Sequence, residues 1–247
     1  MILSYHPCFV GDENRLCAGR KPDASDRAII RAADAVILPQ GCYRSLYEMA
    51  VAHPSTLCFE NLAAFHRDYD QHTFVPPGGF PFVFKFDWSG EGANVWRIDN
   101  RAALGMVLEK AAACEKTGQS GFLVQRYVET GGRSLRVVVI GSTCISYWRC
   151  QPDPETFGTA VSEGAVIDHD AEPTLQDAGK KALASFCAST GINLAGFDLL
   201  FDARNPNSSP LFLEINYFFG RRGLGGSERY YEMLTRAIHQ WLDAIHR

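Results

Sequence analysis

From residue 81 onward the chain switches between two spacings of apolar side chains. In 81–87, Phe82, Phe84 and Phe86 fall on one face of an extended segment, with Val83, Lys85 and Asp87 on the other. Residues 101–115 carry Leu104, Val107, Leu108 and Ala111 at helical spacing. Residues 122–128, 135–140 and 144–149 read as strands, the last two joined by a hairpin turn at Gly141 and Ser142. A helix is predicted over 173–189, with Pro173 in its first turn, Gly191 just past its end, and an apolar stripe that includes Leu175, Leu183 and Phe186. Strands are predicted over 194–201 and 211–217. A closing helix shows the stripe Tyr230, Leu234, Ala237, Trp241 and Ile245.

The first third alternates differently. Short strands are predicted at 2–5, 35–38 and 56–59, with helices at 25–33 (Ser25 as cap) and 42–52 between them. Strand–helix–strand alternation implies a small parallel α/β unit. Three prolines and two glycines in 75–81 mark the most plausible boundary, dividing the chain into 1–75 and 76–247.

Composition narrows the class. Hydrophobic residues are 46% and charged residues 21% of 247, which is globular and not disordered. A net charge of −4 argues against a nucleic-acid coat protein. No apolar run is long enough to span a membrane and no secretory signal is visible, so a cytoplasmic protein is expected. The eight cysteines include no Cys-x-x-Cys pair and are expected to be free thiols.

Two strands carry the clearest chemistry. Glu214 and Asn216 are two positions apart and share a strand face, and Asp198 lies on the preceding strand. If those strands pair, the three side chains converge as a hard-oxygen set suited to magnesium, particularly magnesium held by nucleotide phosphates. The plain alternative is two acids ionised toward solvent at a sheet edge. Lys85 lies on the aromatic-rich strand just before Ser89-Gly90-Glu91-Gly92, where small residues let backbone amides approach an anion. The alternative is a solvated lysine beside an ordinary turn. Arg221 and Arg222 follow the acidic strand and suit a bidentate clamp on a substrate carboxylate, or are simply solvated. His6, Cys42, Tyr43 and Arg44 stand at strand ends, where open α/β sheets bind ligands, although a structural role is the simpler reading. His66 and His72 read as surface residues, and the Phe82/Phe84/Phe86 stripe as sheet packing.

The order of these pieces, a lysine strand with a glycine loop, a glutamine-bearing strand, and paired acidic strands ending in GRRGLGG, resembles the ATP-grasp superfamily of carboxylate–amine ligases over about residues 80–226. The ribosomal-protein glutamate ligases and similar amino-acid ligases are the group it looks most like. The resemblance implies an α/β (α+β) ATP-grasp fold, with 1–75 a shortened N-terminal substrate-side domain, a trimmed lid at about 76–125 and a metal and catalytic part at about 126–247. It implies ATP and Mg2+ (or Mn2+) as cofactors. Lys85 with Gly90, Glu91 and Gly92 would contact phosphates. Gln125, Arg126, Tyr127 and Val128 would form the adenine hinge, and Ser134 would lie on the ribose side. Asp198, Glu214 and Asn216 would bind metal, and Arg136 and Arg149 would lie near the γ-phosphate. Small-molecule or peptide carboxylates and amines would be the partners, with no nucleic acid and no membrane; a homodimer is left open.

The chain departs from that pattern at four places. Arg126 stands where the family carries an acid, and Ser134 where it carries an aspartate. No lysine occurs between Glu60 and Phe84, and Gly158, Thr159 and Ala160 replace an expected asparagine. The expected function is ligation through an acyl phosphate. The alternatives are a nucleotide- or metabolite-binding protein without activity, and a kinase with a hydroxyl acceptor.

Overall fold

The computed structural model describes residues 2–4, 35–37, 52–70, 78–86, 94–205 and 209–245. Strands β1 (Ile2–Ser4) and β2 (Ala35–Ile37) pair in parallel, as the strand–helix–strand pattern predicts. The helices expected at 25–33 and 42–52 lie outside the described residues, except for Ala52, which is not helical. The third strand of that unit is corrected. β3 (Thr56–Phe59) runs antiparallel to β6 (Phe122–Arg126), in a four-stranded sheet ordered β3-β6-β4-β5. Phe59 explains the choice: its ring meets Phe65 at 5.2 Å and Phe122 at 5.4 Å, so burial there outweighs the local α/β pattern.

The four-stranded sheet is completed by β4 (Phe82–Phe86) and β5 (Val95–Ile98), the latter not read from the sequence. Helices α1 (Leu62–Asp70) and α2 (Arg101–Lys116) supply Phe65, Leu104, Val107 and Ala111 to its core. Phe82, Phe84 and Phe86 all face that core, with Phe84 stacked on Phe122 at 4.7 Å. Each fully buried side chain of this size contributes about 1.5–3 kcal/mol relative to exposure. The stripe therefore packs the sheet and leaves Val83 and Lys85 to the opposite face. Asn100 caps α2, its Oδ1 accepting from the Ala103 amide at 3.0 Å.

A second sheet of five antiparallel strands is ordered β11-β10-β7-β8-β9. These are β7 (Arg133–Ile140), β8 (Thr143–Cys150), β9 (Val166–Asp168), β10 (Leu194–Leu200) and β11 (Leu211–Asn216). Leu135, Val137 and Val139 of β7 enter a core with Leu183 and Phe186 of α3 (Pro173–Thr190). Pro173 opens that helix, and Gly191 closes it at φ 74°, where a side chain would be strained. On the other face Val138 and Ile140 pack against Leu234 and Ala237 of α4 (Ser227–Ile245). The alternation of β7 therefore places Ser134 and Arg136 on the α4 side, beyond the end of the apolar stretch.

Among the described residues Cys58, Cys114, Cys144, Cys150 and Cys187 form no disulfide, and Cys58 and Cys144 are exposed. Among the described residues no helix is long and apolar enough to cross a membrane.

Candidate active site

A cleft of about 1400 Å³ runs between the two sheets. Its floor is set by strand register. Asp198 on β10 lies opposite Glu214 on β11 and opposite Arg136 on β7, so all three share one row. A bulge follows, with Leu199 opposite Phe212 and one extra residue, Leu213, on β11. Bulges of this kind re-aim the neighbouring side chains. Gly196 pairs with Asn216, bringing that amide beside the row. Across the hairpin, Ser134 pairs with Arg149. Lys85 faces the same cleft from β4 of the other sheet.

Asp198 is the hub. It is only 3% exposed. Arg136 grips it with two bonds, Nε to Oδ1 at 2.5 Å and Nη2 to Oδ2 at 3.0 Å. Arg149 adds an ion pair from Nη2 to Oδ1 at 2.7 Å. Asn216 Nδ2 donates to Oδ2 at 3.4 Å. Arg149 Nη2 also donates to Ser134 Oγ at 3.0 Å, and Ser134 Oγ shares a 2.6 Å hydrogen bond with Thr159 Oγ1. The alternative of an acid ionised toward solvent at a sheet edge does not hold for Asp198, which is buried and paired with two guanidiniums.

The protonation equilibria follow. Burial works against the charged form of Asp198, but the guanidiniums of Arg136 and Arg149 outweigh it and hold the carboxyl below its ordinary range. Glu214 moves the other way: burial and the neighbouring Asp198 charge raise it, with Lys85 offsetting part of the rise. Burial pulls Lys85 down to about 8, although Glu214 and Asp198 both oppose the fall. One acid at the floor is thus neutralised by the protein, while the other would gain from an added cation.

That contrast tests the fit to a divalent metal. Among the described residues no group of three His, Cys, Asp or Glu side chains gathers, so a metal has only Asp198, Glu214 and the Asn216 carboxamide. All three offer oxygen, and Glu214 carries charge that burial disfavours. The set fits magnesium, a hard cation that keeps waters and substrate oxygens in its remaining positions.

The other residues marked by the sequence divide. Tyr127 and Val128 border the cleft, with the Arg97 guanidinium 4.9 Å from the Tyr127 ring centroid. Gln125 and Arg126 do not border it: Gln125 Nε2 donates to Thr56 Oγ1 at 2.9 Å, and the Arg126 stem lies beside Gly78. The strand expected to reach residue 128 ends at Arg126. Gly90, Glu91 and Gly92 lie outside the described residues, as do His6, Cys42, Tyr43, Arg44 and His72. Arg221 is held away from a simple clamp. Its guanidinium stacks on Tyr230 at 4.6 Å and Tyr231 at 4.7 Å, and Nη1 donates to the Tyr231 hydroxyl at 3.1 Å. Arg222 is exposed at the cleft rim. Thr159 was not marked as a site residue; the signal for it was its place in the segment that departs from the family pattern.

Solved structures share this fold. The D-cycloserine synthetase DcsG aligns with 88% of this chain and 77% of its own, at 18% identity and a TM-score of 0.58. D-alanine–D-alanine ligase from Bacillus anthracis, complexed with ATP, aligns with 82% and 65%, at 14% identity and 0.57. At such identities the likeness is one of fold, and the fold is ATP-grasp. Within that class the chain belongs to the RimK-like ATP-grasp domain family, whose profile matches residues 50–236. A probable alpha-L-glutamate ligase from Sodalis glossinidius is 29% identical over 149 residues, which is 60% of this chain and 46% of that protein. The chain spans about half the length of the curated relatives it matches.

Proposed function

We propose that this chain is an ATP- and magnesium-dependent ligase that joins a carboxylate to an amine. The observation that supports it most is the meeting on one cleft floor of Lys85 from one sheet with Arg136, Arg149, Asp198, Glu214 and Asn216 from the other. Phosphoryl transfer depends mainly on positioning and charge stabilisation, and this set offers both.

In this reading the acceptor carboxylate oxygen attacks the γ-phosphorus of ATP, ADP leaves, and an acyl phosphate forms. The amine nitrogen then attacks the acyl carbon and phosphate leaves. Lys85 binds phosphate oxygens. Arg149, whose buried Nε has no hydrogen-bond partner, and Arg136 receive the charge that develops on the transferred phosphoryl group. Asp198, Glu214 and Asn216 would hold magnesium, which when bound would neutralise phosphate oxygens. Tyr127 and Val128 meet the adenine, and Arg222, exposed at the cleft rim, the acceptor carboxylate. Amino acids and short peptides are the acceptors to try first, in the cytoplasm, where ATP is available. The glutamate-ligase relatives support that choice.

The test is ADP release with magnesium, ATP and a pool of amino acids and short peptides, with hydroxylamine added. Hydroxamate is expected, because hydroxylamine traps only an acyl phosphate. ADP without hydroxamate points to a kinase. A second reading, a nucleotide-binding protein without turnover, is favoured by one observation: Asp198 already spends its charge on two guanidiniums. Binding of Mg·ATP with no turnover for any acceptor selects that reading, and no binding at all overturns both.

A further inference from the structure

We propose that the acceptor of this cleft carries an apolar side chain, which Phe218 covers while Arg222 holds the carboxylate. The inference rests on the ligase reading above and names its substrate class, with Phe218 as the residue that sets specificity.

The chain alternates at the end of β11 and beyond it. Glu214 and Asn216 border the cleft, while Ile215 and Tyr217 pack into the core on the α3 side. Past the strand, every second residue is anchored. The Phe219 ring packs on Tyr230 at 5.8 Å, the Arg221 guanidinium stacks on Tyr230 and Tyr231, and Gly223 lies against the Tyr147 ring. The residues between them, Phe218, Gly220 and Arg222, are exposed and border the cleft. A loop fixed at three alternate positions presents the other three as a preorganised row, which lowers the ordering cost of binding.

Phe218 is 70% exposed, although it borders the cleft two positions beyond Asn216. An aromatic surface left to water beside a reaction site stabilises a ligand that covers it. Gly220 leaves space next to it: apart from its chain neighbours, no heavy atom of the described residues comes within 4 Å of where a Cβ would stand. Arg222 closes the row with a guanidinium, which suits a carboxylate bidentately. Arg221, the other cation of this loop, is engaged by its two tyrosines. The row thus offers one apolar surface, one open space and one cation. An acceptor with a single carboxylate and an apolar side chain matches it, whether a free amino acid or a peptide ending in one. A second carboxylate in place of that side chain would give up hydration against Phe218 with no charge to replace it.

The experiment measures hydroxamate formed by the full chain with Mg·ATP and hydroxylamine, which supplies the amine so that only the acceptor varies. Glycine, leucine, phenylalanine and glutamate are compared, each free and as the C-terminal residue of a glycyl dipeptide; the series that reacts identifies the source of the carboxylate. Within it, leucine and phenylalanine are expected to exceed glycine and glutamate in kcat/KM by about tenfold or more. Phe218→Ala is expected to raise KM for the two apolar acceptors and bring them close to glycine. Phe218→Leu, which keeps an apolar side chain, is expected to retain the preference. A preference for glutamate, no preference, or an equal loss for every acceptor in Phe218→Ala overturns the inference and leaves the ligase reading standing. Loss of Mg·ATP binding in Phe218→Ala, read by calorimetry, assigns the residue to the nucleotide and also overturns it. Absence of hydroxamate from every acceptor overturns the inference and the ligase reading together.

Discussion

Asp198 and Glu214 face each other across β10 and β11, yet different groups neutralise them. Arg136 and Arg149, on the same sheet, hold Asp198, whereas Lys85 from the opposite sheet gives Glu214 its largest offset. Asp198 therefore has a structural debt to the fold that Glu214 does not share. Replacing Arg136 by Met leaves a buried carboxylate with one guanidinium. A loss of about 3 kcal/mol is expected in chemical denaturation. Asp198→Asn should also destabilise, and the double variant should lose less than the sum, since the pair is broken only once.

Nucleotide binding gives a second check. Lys85→Ala, Asp198→Ala and Glu214→Ala should each weaken Mg·ATP binding or turnover by about tenfold or more, since each removes a charge from a desolvated site. Circular dichroism should show the fold retained in all three. Three variants that bind like the wild type would move the nucleotide site elsewhere.

The lowered Lys85 sets a pH dependence. The group is held at about 8 against an ordinary value of 10.5. Its positive charge is present below about 8 and is lost as pH rises through that value. ATP affinity should therefore fall between pH 7 and 9, and Lys85→Arg should flatten the profile, because arginine keeps its charge. The stability sign is the opposite. Between about 8 and 10.5 the unfolded chain binds more protons at this residue, so its contribution to stability rises with pH across that window.

Gly223 is a packing test at the cleft wall. A Cβ there would collide with the ring of Tyr147, which is 3% exposed. Gly223→Ala should cost about 1–3 kcal/mol through overpacking, read as a fall in melting temperature.

Local pattern made much of this arrangement legible. The two-residue turn at Gly141–Ser142 fixes the β7–β8 register, so Ser134 opposite Arg149 follows by counting back from it. The shared face of Glu214 and Asn216 follows from strand periodicity. What local pattern does not carry is the order of distant strands. That β10 sits against β7, giving Asp198 its arginines, is a long-range pairing. The bulge at Leu213 is likewise hidden, because nothing local distinguishes it from regular strand. Thr56–Phe59 misled for the same reason: four residues cannot show which sheet will bury Phe59. Arg221 looked solvated or substrate-facing because its tyrosines lie on the following helix, nine and ten positions away.

Lys85 stands on a sheet whose apolar interior is closed by Phe84 and Phe122, while the acids and guanidiniums stand on one closed by Trp148, Leu183 and Phe197. Each half thus has its own source of apolar cohesion. A ligand touching both floors would act as a crosslink. It would make the melting of one half depend on the other, so its presence would register as sharper cooperativity as well as added stability.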